Sequence, residues 1–128
     1  MQPLHNLTLL VGRILIAAVF IFDASVIVRA PDSTASFIAS VGLPGQLALL
    51  VALCQFVGGV MVIFGVWTRL AAAGLAAFCV STALLFHRDL ASTNEIIQAG
   101  KDFGLAGGFL FLASVGPGAW SVDRFGRR

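Results

Sequence analysis

Charged residues are scarce in this chain. They occupy 11% of its 128 positions, whereas hydrophobic residues occupy 59%, and the mean hydropathy is +0.98. A soluble domain of this size has too much surface to cover with so few charges, so the outside of the folded chain must itself be largely apolar. This excludes an ordinary soluble domain and indicates a protein that contacts the lipid bilayer.

Residues that hold metals or redox groups are also few. Cys54 and Cys79 form no CxxC pair and have no zinc-site spacing. They are predicted at matching depth and could be neighbours, but apolar surroundings keep thiols protonated, which favours a filling role. The two histidines, His5 and His87, are predicted on opposite sides of the membrane, which argues against bis-histidine haem ligation. The residue pattern therefore shows no evident cofactor site.

Long apolar stretches are what the chain has instead. An apolar run of about 18 residues is needed for a helix to cross the hydrocarbon layer, and four such runs occur. The predicted fold class is therefore all-α, a membrane four-helix bundle in one integral domain over residues 1–128. Because Arg13 lies inside the first run rather than ahead of it, we expect no cleaved signal peptide. The predicted transmembrane helices cover residues 7–28, 46–66, 70–87 and 93–115.

A short amphipathic segment separates the first two spans. Residues 32–42 begin with capping residues and end at Gly42, and Phe37, Ile38 and Val41 share one helical face. The segment is therefore predicted to form a short interfacial helix.

Helix ends and helix packing also leave local signals. Ser92 and Glu95 form a capping-box pattern, which predicts that the last span begins near Thr93. Gly104 and Gly108 form a GxxxG motif, which allows close approach of helices in lipid. The motif predicts packing within the bundle or, alternatively, a homo-oligomer interface.

The positions of the basic residues predict orientation. With four spans, both termini and the turn at Trp67 share one side, and that side holds more basic residues, which favours the cytoplasm. We therefore predict a multi-pass protein of the cytoplasmic (inner) membrane with both termini cytoplasmic. The scattered charges determine topology and do not indicate nucleic-acid binding. The side of the termini holds Arg13, Arg69, Arg124, Arg127 and Arg128, and the opposite side holds Arg29, Arg88 and Lys101.

Polar side chains recur at similar depth inside the spans. At about 1.5 Å per helical residue, Asp23 lies about 8 Å below the outer boundary, and Gln55 and Asp102 lie about 13 Å below it. Lys101 and His87 are predicted nearby. Ionisable residues inside a span are costly and usually face a bundle interior or a cavity.

Two interpretations of this cluster remain open. In the structural one, Lys101 pairs with Asp23 or Asp102 and the cluster only fixes helix register. In the functional one, the cluster lines an outward-facing pocket whose carboxylates exchange protons, with His87 as a relay. Arg13 lies roughly 15 Å from Asp23 along the first helix, nearer the cytoplasmic headgroups. The candidate catalytic residues are Asp23 and Asp102, and the candidate ligand-binding residues are Gln55, Lys101, His87 and Arg13.

Motifs along nearly the whole chain resemble those of the DoxX family, small four-helix bacterial membrane proteins. Their order and spacing carry the resemblance, since each motif alone is common. This chain departs from the family pattern at three polar positions, where members often have Lys near Asp23, Glu at Gln55 and Asn at Asp102. The matching motifs are Gly12-Arg13, Val41-Gly-Leu-Pro44, Gln55-Phe-Val-Gly-Gly59, Gly65-Val-Trp-Thr-Arg-Leu-Ala71, Phe86-His87, Lys101-Asp-Phe-Gly-Leu-Ala-Gly-Gly108 and Gly116-Pro-Gly-Ala-Trp-Ser-Val-Asp123.

The resemblance implies a membrane subunit or partner of a redox enzyme in quinone-linked oxidoreduction. A quinone is then the expected ligand, with Gln55 and Lys101 on its carbonyls and Phe22, Phe56 and Phe103 flanking its ring. The alternative is a non-enzymatic carrier of a small amphiphile, or a scaffold that docks a partner protein. A proton-coupled exporter is disfavoured, because four spans need a dimer to enclose a pathway.

Overall fold

The computed structural model describes residues 1–127 and contains six helices in that range. Four of them, α1, α3, α4 and α5, are long and apolar enough to cross a membrane. The predicted all-α membrane bundle, with a short helix between the first two spans, is therefore confirmed. The helices are α1 Gln2–Arg29, α2 Pro31–Ala39, α3 Leu47–Phe64, α4 Thr68–Phe86, α5 Thr93–Val115 and α6 Val122–Phe125.

Most of each spanning helix faces outward. At most 33% of the most apolar 18-residue window of any span is buried in the protein. On α1 the buried positions, among them Arg13, Ala17, Phe20 and Ala24, recur every three or four residues. One narrow stripe thus packs inward, while the remaining apolar side chains contact lipid.

The bundle is built from two helix pairs. α1 packs mainly on α3, and α4 packs mainly on α5, with a thinner seam between α3 and α4. Phe20, Val62 and Phe109 lie in the main core. A second core lies beneath α2, where Ile38 packs against Ile27 and other buried residues of α1 and α3.

Helix ends follow local chemistry. α5 begins at Thr93, and the Ser92 side chain accepts a 3.5 Å hydrogen bond from the Glu95 N–H. α1 begins at Gln2, ahead of the predicted start at residue 7. Pro3 lies in the first turn, where a backbone N–H would have no partner within the helix, so the absence of an N–H on proline does not prevent the helix from starting there. α3 ends at Phe64 because Gly65 adopts φ +71°.

The N-terminus, the last described residues and the α3–α4 turn lie at one end of the bundle, here called the terminal end. The Ala119 N–H donates to Asn6 Oδ1 at 3.3 Å, and one surface cavity is lined by residues from all three regions, including Gln2, Trp67 and Arg127. Arg128, which the orientation argument counted, lies outside the described residues. The opposite end, which carries α2 and the α4–α5 loop, is called the distal end.

Candidate functional site

A recess of about 530 Å³ lies at the distal end of the bundle. All four spanning helices and α2 contribute to its wall. Five of the six predicted site residues line this distal recess, and their functional roles stay predictions. They are Asp23, Gln55, His87, Lys101 and Asp102.

Gln55 occupies a core position of α3. The buried residues of this helix form one inward stripe that includes Ala48, Ala52, Gln55, Gly59 and Val62. Their spacing of three or four residues places them on one helical face. Gln55 is only 5% exposed, so the sequence puts an amide where an apolar side chain would ordinarily pack.

The Gln55 amide is held by Asp23. Its Nε2 donates a 2.7 Å hydrogen bond to Asp23 Oδ2. Because an ionised carboxylate only accepts, the amide nitrogen must face Asp23, and Oε1 then points elsewhere. Gln55 Oε1 is buried and has no hydrogen-bond partner. An unsatisfied buried acceptor costs about 1–3 kcal/mol, so this oxygen is suited to a donor supplied by a ligand or water.

His87 lies between two carboxylates of α5. Its Nδ1 is 2.9 Å from Glu95 Oε2, and its Nε2 is 3.7 Å from Asp102 Oδ2. Only the doubly protonated imidazole can donate from both nitrogens. The ring therefore connects the polar α4–α5 loop to the carboxylate inside the recess.

Asp102 presents a second unsatisfied acceptor. Its Oδ2 is buried and makes no hydrogen bond, since His87 Nε2 is beyond hydrogen-bond distance. Lys101 lines the recess but is exposed. In residues 1–127 it makes no ion pair with Asp23 or Asp102, so the structural interpretation that relied on such a pair is wrong on this point.

Aromatic rings form much of the apolar wall. Phe37 of α2 stacks on Phe86 with ring centroids 4.8 Å apart. Of the rings predicted to flank a ligand, Phe22 lines the recess, whereas Phe56 and Phe103 do not; these two are about half exposed on other faces. The phenylalanines of the lining are Phe20, Phe22, Phe37, Phe78 and Phe86.

Sequence reasoning did not identify Glu95, Phe37 or Phe86 as part of this environment. A signal existed for Phe86, which directly precedes His87 at the end of an apolar run. Glu95 was assigned only to helix capping, yet its carboxylate contacts His87 while its N–H bonds to Ser92. Phe37 reaches the recess because α2 folds back over it, which no local pattern predicts.

Arg13 lies away from the distal recess, towards the terminal end, so its predicted ligand-binding role has no place there. The residue is 1% exposed, and its Nη2 donates to the Trp120 carbonyl at 2.7 Å. It packs directly against Gly65, whose missing Cβ leaves room for the guanidinium. Arg13 therefore joins α1 to the chain segment after α5.

Asp123 forms a second contact at the terminal end. Its carboxylate accepts hydrogen bonds from the Trp67 N–H at 2.7 Å, the Thr68 N–H at 2.9 Å and Thr68 Oγ1 at 2.8 Å. Burial alone would raise the pKa of Asp123, but the bonds from Thr68 and Trp67, with the charge of Arg127, outweigh it and lower the pKa. The carboxylate thus caps the N-terminus of α4. We call the Asp123 and Arg13 contacts together the terminal latch.

Neither cysteine forms a disulfide. Cys79 is buried and lines the distal recess, whereas Cys54 is exposed in a groove between α3 and α4.

Four apolar spans around a polar recess define a small multi-pass membrane protein with a cavity that can hold a ligand. The chain belongs to the DoxX family, whose profile, described simply as DoxX, matches residues 8–88. That match includes Asp23, Gln55 and His87 and ends before Lys101 and Asp102. The resemblance predicted from the motifs is therefore confirmed.

Two relatives from Escherichia coli K12 match along nearly the whole chain. Inner membrane protein YqjF is 37% identical over 124 residues, covering 97% of this chain and 95% of the relative. Inner membrane protein YphA is 29% identical over 123 residues, covering 91% of this chain and 88% of the relative. No solved structure matches. The names place both relatives in the inner membrane, in agreement with the four apolar helices found here.

Proposed function

We propose that this protein binds a quinone in the distal recess and serves as a membrane subunit or partner in quinone-linked oxidoreduction. The observation that carries the proposal is the buried Gln55 side chain in the wall of the recess, which donates a hydrogen bond to Asp23 and has a buried oxygen without a hydrogen-bond partner. Ligand pockets usually combine an apolar, aromatic lining with a few placed polar groups in about 300–1,000 Å³. The recess has both properties.

The polar groups of the recess are suited to a quinone headgroup, and they suit its reduced form, the quinol, best. Gln55 Oε1 and Asp102 Oδ2 are acceptors without partners, so they match the two hydroxyl groups of a quinol rather than the carbonyls of a quinone. Asp23 takes one of the two N–H donors of the Gln55 amide, so the second N–H can still donate to a quinone carbonyl. Lys101, at the edge of the recess, is another donor suited to a carbonyl of the oxidised ring.

A bound quinone would supply two-electron, two-proton chemistry, with the electrons exchanged with a partner oxidoreductase. The residues of this chain position the ring and hold protons. Asp102 and Asp23 both line the recess and would be the groups that take protons from the bound hydroxyls. His87 lies between Asp102 and Glu95, so it is the group through which a proton would reach the α4–α5 loop.

Binding to purified protein in lipid nanodiscs tests the proposal. We expect a quinol to bind more tightly than the corresponding quinone. Gln55→Leu should weaken quinol binding about tenfold, equivalent to about 1.4 kcal/mol, by removing the acceptor. Gln46→Leu is the matched control, since Gln46 is exposed and makes no side-chain capping bond at the start of α3.

The result that would refute the proposal is equal quinol affinity in wild type and Gln55→Leu. Equal binding of a quinol and a redox-inactive amphiphile of the same shape would instead favour the carrier function. A thermal unfolding curve for each variant separates loss of the site from loss of the fold.

We also propose that the terminal end faces the cytoplasm. Arg13, Arg69, Arg124 and Arg127 lie towards that end of the described chain, and loop-flanking Lys and Arg are enriched on the cytoplasmic side of inner membrane proteins. The names of YqjF and YphA place both relatives in the inner membrane, the membrane to which this charge bias applies. The distal recess then opens outward.

A further inference from the structure

The thinner seam between α3 and α4 contains an apolar groove of about 630 Å³. Cys54, Gly74 and Ala77 are exposed along it, and Gly58 lets the two helices approach so closely that a Cβ there would meet the Leu75 side chain at 3.0 Å. We call this feature the α3–α4 groove. Almost all of its surface is apolar, and it lies on the lipid-facing side of two spanning helices.

The groove adjoins the distal recess. Gln55, Phe78 and Ser81 line both features, so a single layer of side chains separates the polar cavity from the lipid-facing groove. Gln55 is only 5% exposed, and its buried Oε1 has no hydrogen-bond partner. The residue with this unsatisfied acceptor therefore lies where the two cavities meet.

The length of the groove suits a hydrocarbon chain. On α3 it runs from Leu53 to Met61, eight residue steps or roughly 12 Å along the helix. It passes from the depth of Gln55, near the middle of α3, towards the terminal end, and its wall is entirely apolar along that path. A polar ring in the recess would leave its chain pointing into such a groove.

We infer that the ligand of the distal recess is a lipid-borne amphiphile whose hydrocarbon chain lies in the α3–α4 groove and that enters sideways from the bilayer past Gln55, Phe78 and Ser81. This inference rests on the proposed headgroup site and specifies the chemical class of its ligand. A ligand of this class needs both a hydrogen-bond donor for Gln55 Oε1 and an apolar chain. A water-borne small molecule would have no use for the groove.

Gly74→Leu tests the inference because Gly74 lines the groove and not the recess, and a Cβ there meets nothing within 4 Å. We expect the substitution to fill the groove, and a thermal unfolding curve checks that the fold is retained. Gly107→Leu on α5 is the matched control, since Gly107 is also exposed, has equally open space, and lies outside both cavities. Ala77→Leu provides a second groove variant.

Two probes are compared in nanodiscs: a dimethoxy-methyl-hydroquinone without a side chain, and the same ring with a decyl chain. We expect Gly74→Leu and Ala77→Leu to weaken binding of the decyl probe about tenfold or more, the scale of overpacking one occupied position. Binding of the chainless probe should stay unchanged in both, and Gly107→Leu should bind both probes as the wild type does.

Equal affinity of Gly74→Leu and wild type for the decyl probe would overturn the inference, because the groove would then hold only bulk lipid. So would dissociation of a wild-type dimer by Gly74→Leu, which would assign the groove to a second copy of the chain. If the wild type binds neither probe, the headgroup site itself is refuted. If the wild type binds both probes and the groove variants bind them equally well, the headgroup proposal stands but the inference about the groove is refuted.

Discussion

The terminal latch gives the clearest prediction about stability. Asp123 lies 55 residues from Thr68 in sequence, yet its carboxylate accepts three hydrogen bonds from Trp67 and Thr68 at the start of α4. Asp123→Ala removes all three hydrogen bonds at once. Because Thr68 is fully buried, water cannot easily replace the lost partner of its N–H and hydroxyl.

The magnitude follows from the groups that lose partners. A side-chain cap is worth about 0.5–2 kcal/mol, and leaving a buried donor unsatisfied costs about 1–3 kcal/mol. Asp123 is partly exposed, so we take a value of about 2 kcal/mol for Asp123→Ala rather than the sum of these costs. Asp123→Asn keeps one acceptor oxygen and should cost about half as much.

Unfolding of the detergent-solubilised protein by SDS titration measures these differences. Asp32→Ala is the control, because Asp32 is also exposed near a helix start but makes no described side-chain hydrogen bond; its expected effect is below about 0.5 kcal/mol. A loss for Asp123→Ala no larger than that of the control would refute the capping role.

The pH dependence provides an independent check. The pKa of Asp123 is lowered in the folded protein, so its stabilisation is fully present above the ordinary aspartate pKa of about 4 and is lost as pH falls through the lowered value. The stability difference between wild type and Asp123→Ala should therefore shrink below about pH 4. A difference that grew on acidification would contradict the sign of this shift.

Two further predictions concern the terminal end. Gly65→Ala should destabilise the protein by about 2–4 kcal/mol in the same assay, because its Cβ would overlap Ser121 and Arg13 and a left-handed backbone disfavours alanine. The control, Gly107→Ala, lies in an open helical position and should be neutral or stabilising. Equal effects of the two substitutions on stability would contradict this reasoning. A green fluorescent protein fused after the C-terminus should fluoresce and a fused alkaline phosphatase should be inactive, because both report a cytoplasmic end; the reverse pattern would overturn the proposed orientation.

The fold follows from physical constraints that act locally, so sequence reasoning recovers most of it. The bilayer sets the length of each apolar run, and the capping chemistry of Ser92 and Glu95 sets the start of α5. The start of α1 was placed too late because its first turn, with Gln2 and His5, is polar. Hydropathy cannot detect helix that continues beyond the hydrocarbon layer.

The candidate site was predictable in depth but not in direction. Helical rise fixes the height of Asp23, Gln55 and Asp102, and all three line one recess. Which way a ring points around its helix depends on packing between helices, so Phe56 and Phe103 were predicted on the wrong faces. Contacts between distant segments, such as those of Asp123, leave no local pattern at all.

The two ends of the bundle show why an unpaired buried atom alone does not identify a site. Arg13 also has unpartnered nitrogens, Nε and Nη1, but it packs tightly against Gly65 and has no room for a ligand. Gln55 adjoins open volume on two sides, the recess and the groove. An unsatisfied group is costly wherever it occurs, yet only beside a cavity can binding recover that cost. The distal end therefore has both the energetic deficit and the adjoining space that ligand binding requires, whereas Arg13 has the deficit alone, because it does not line the surface cavity of the terminal end.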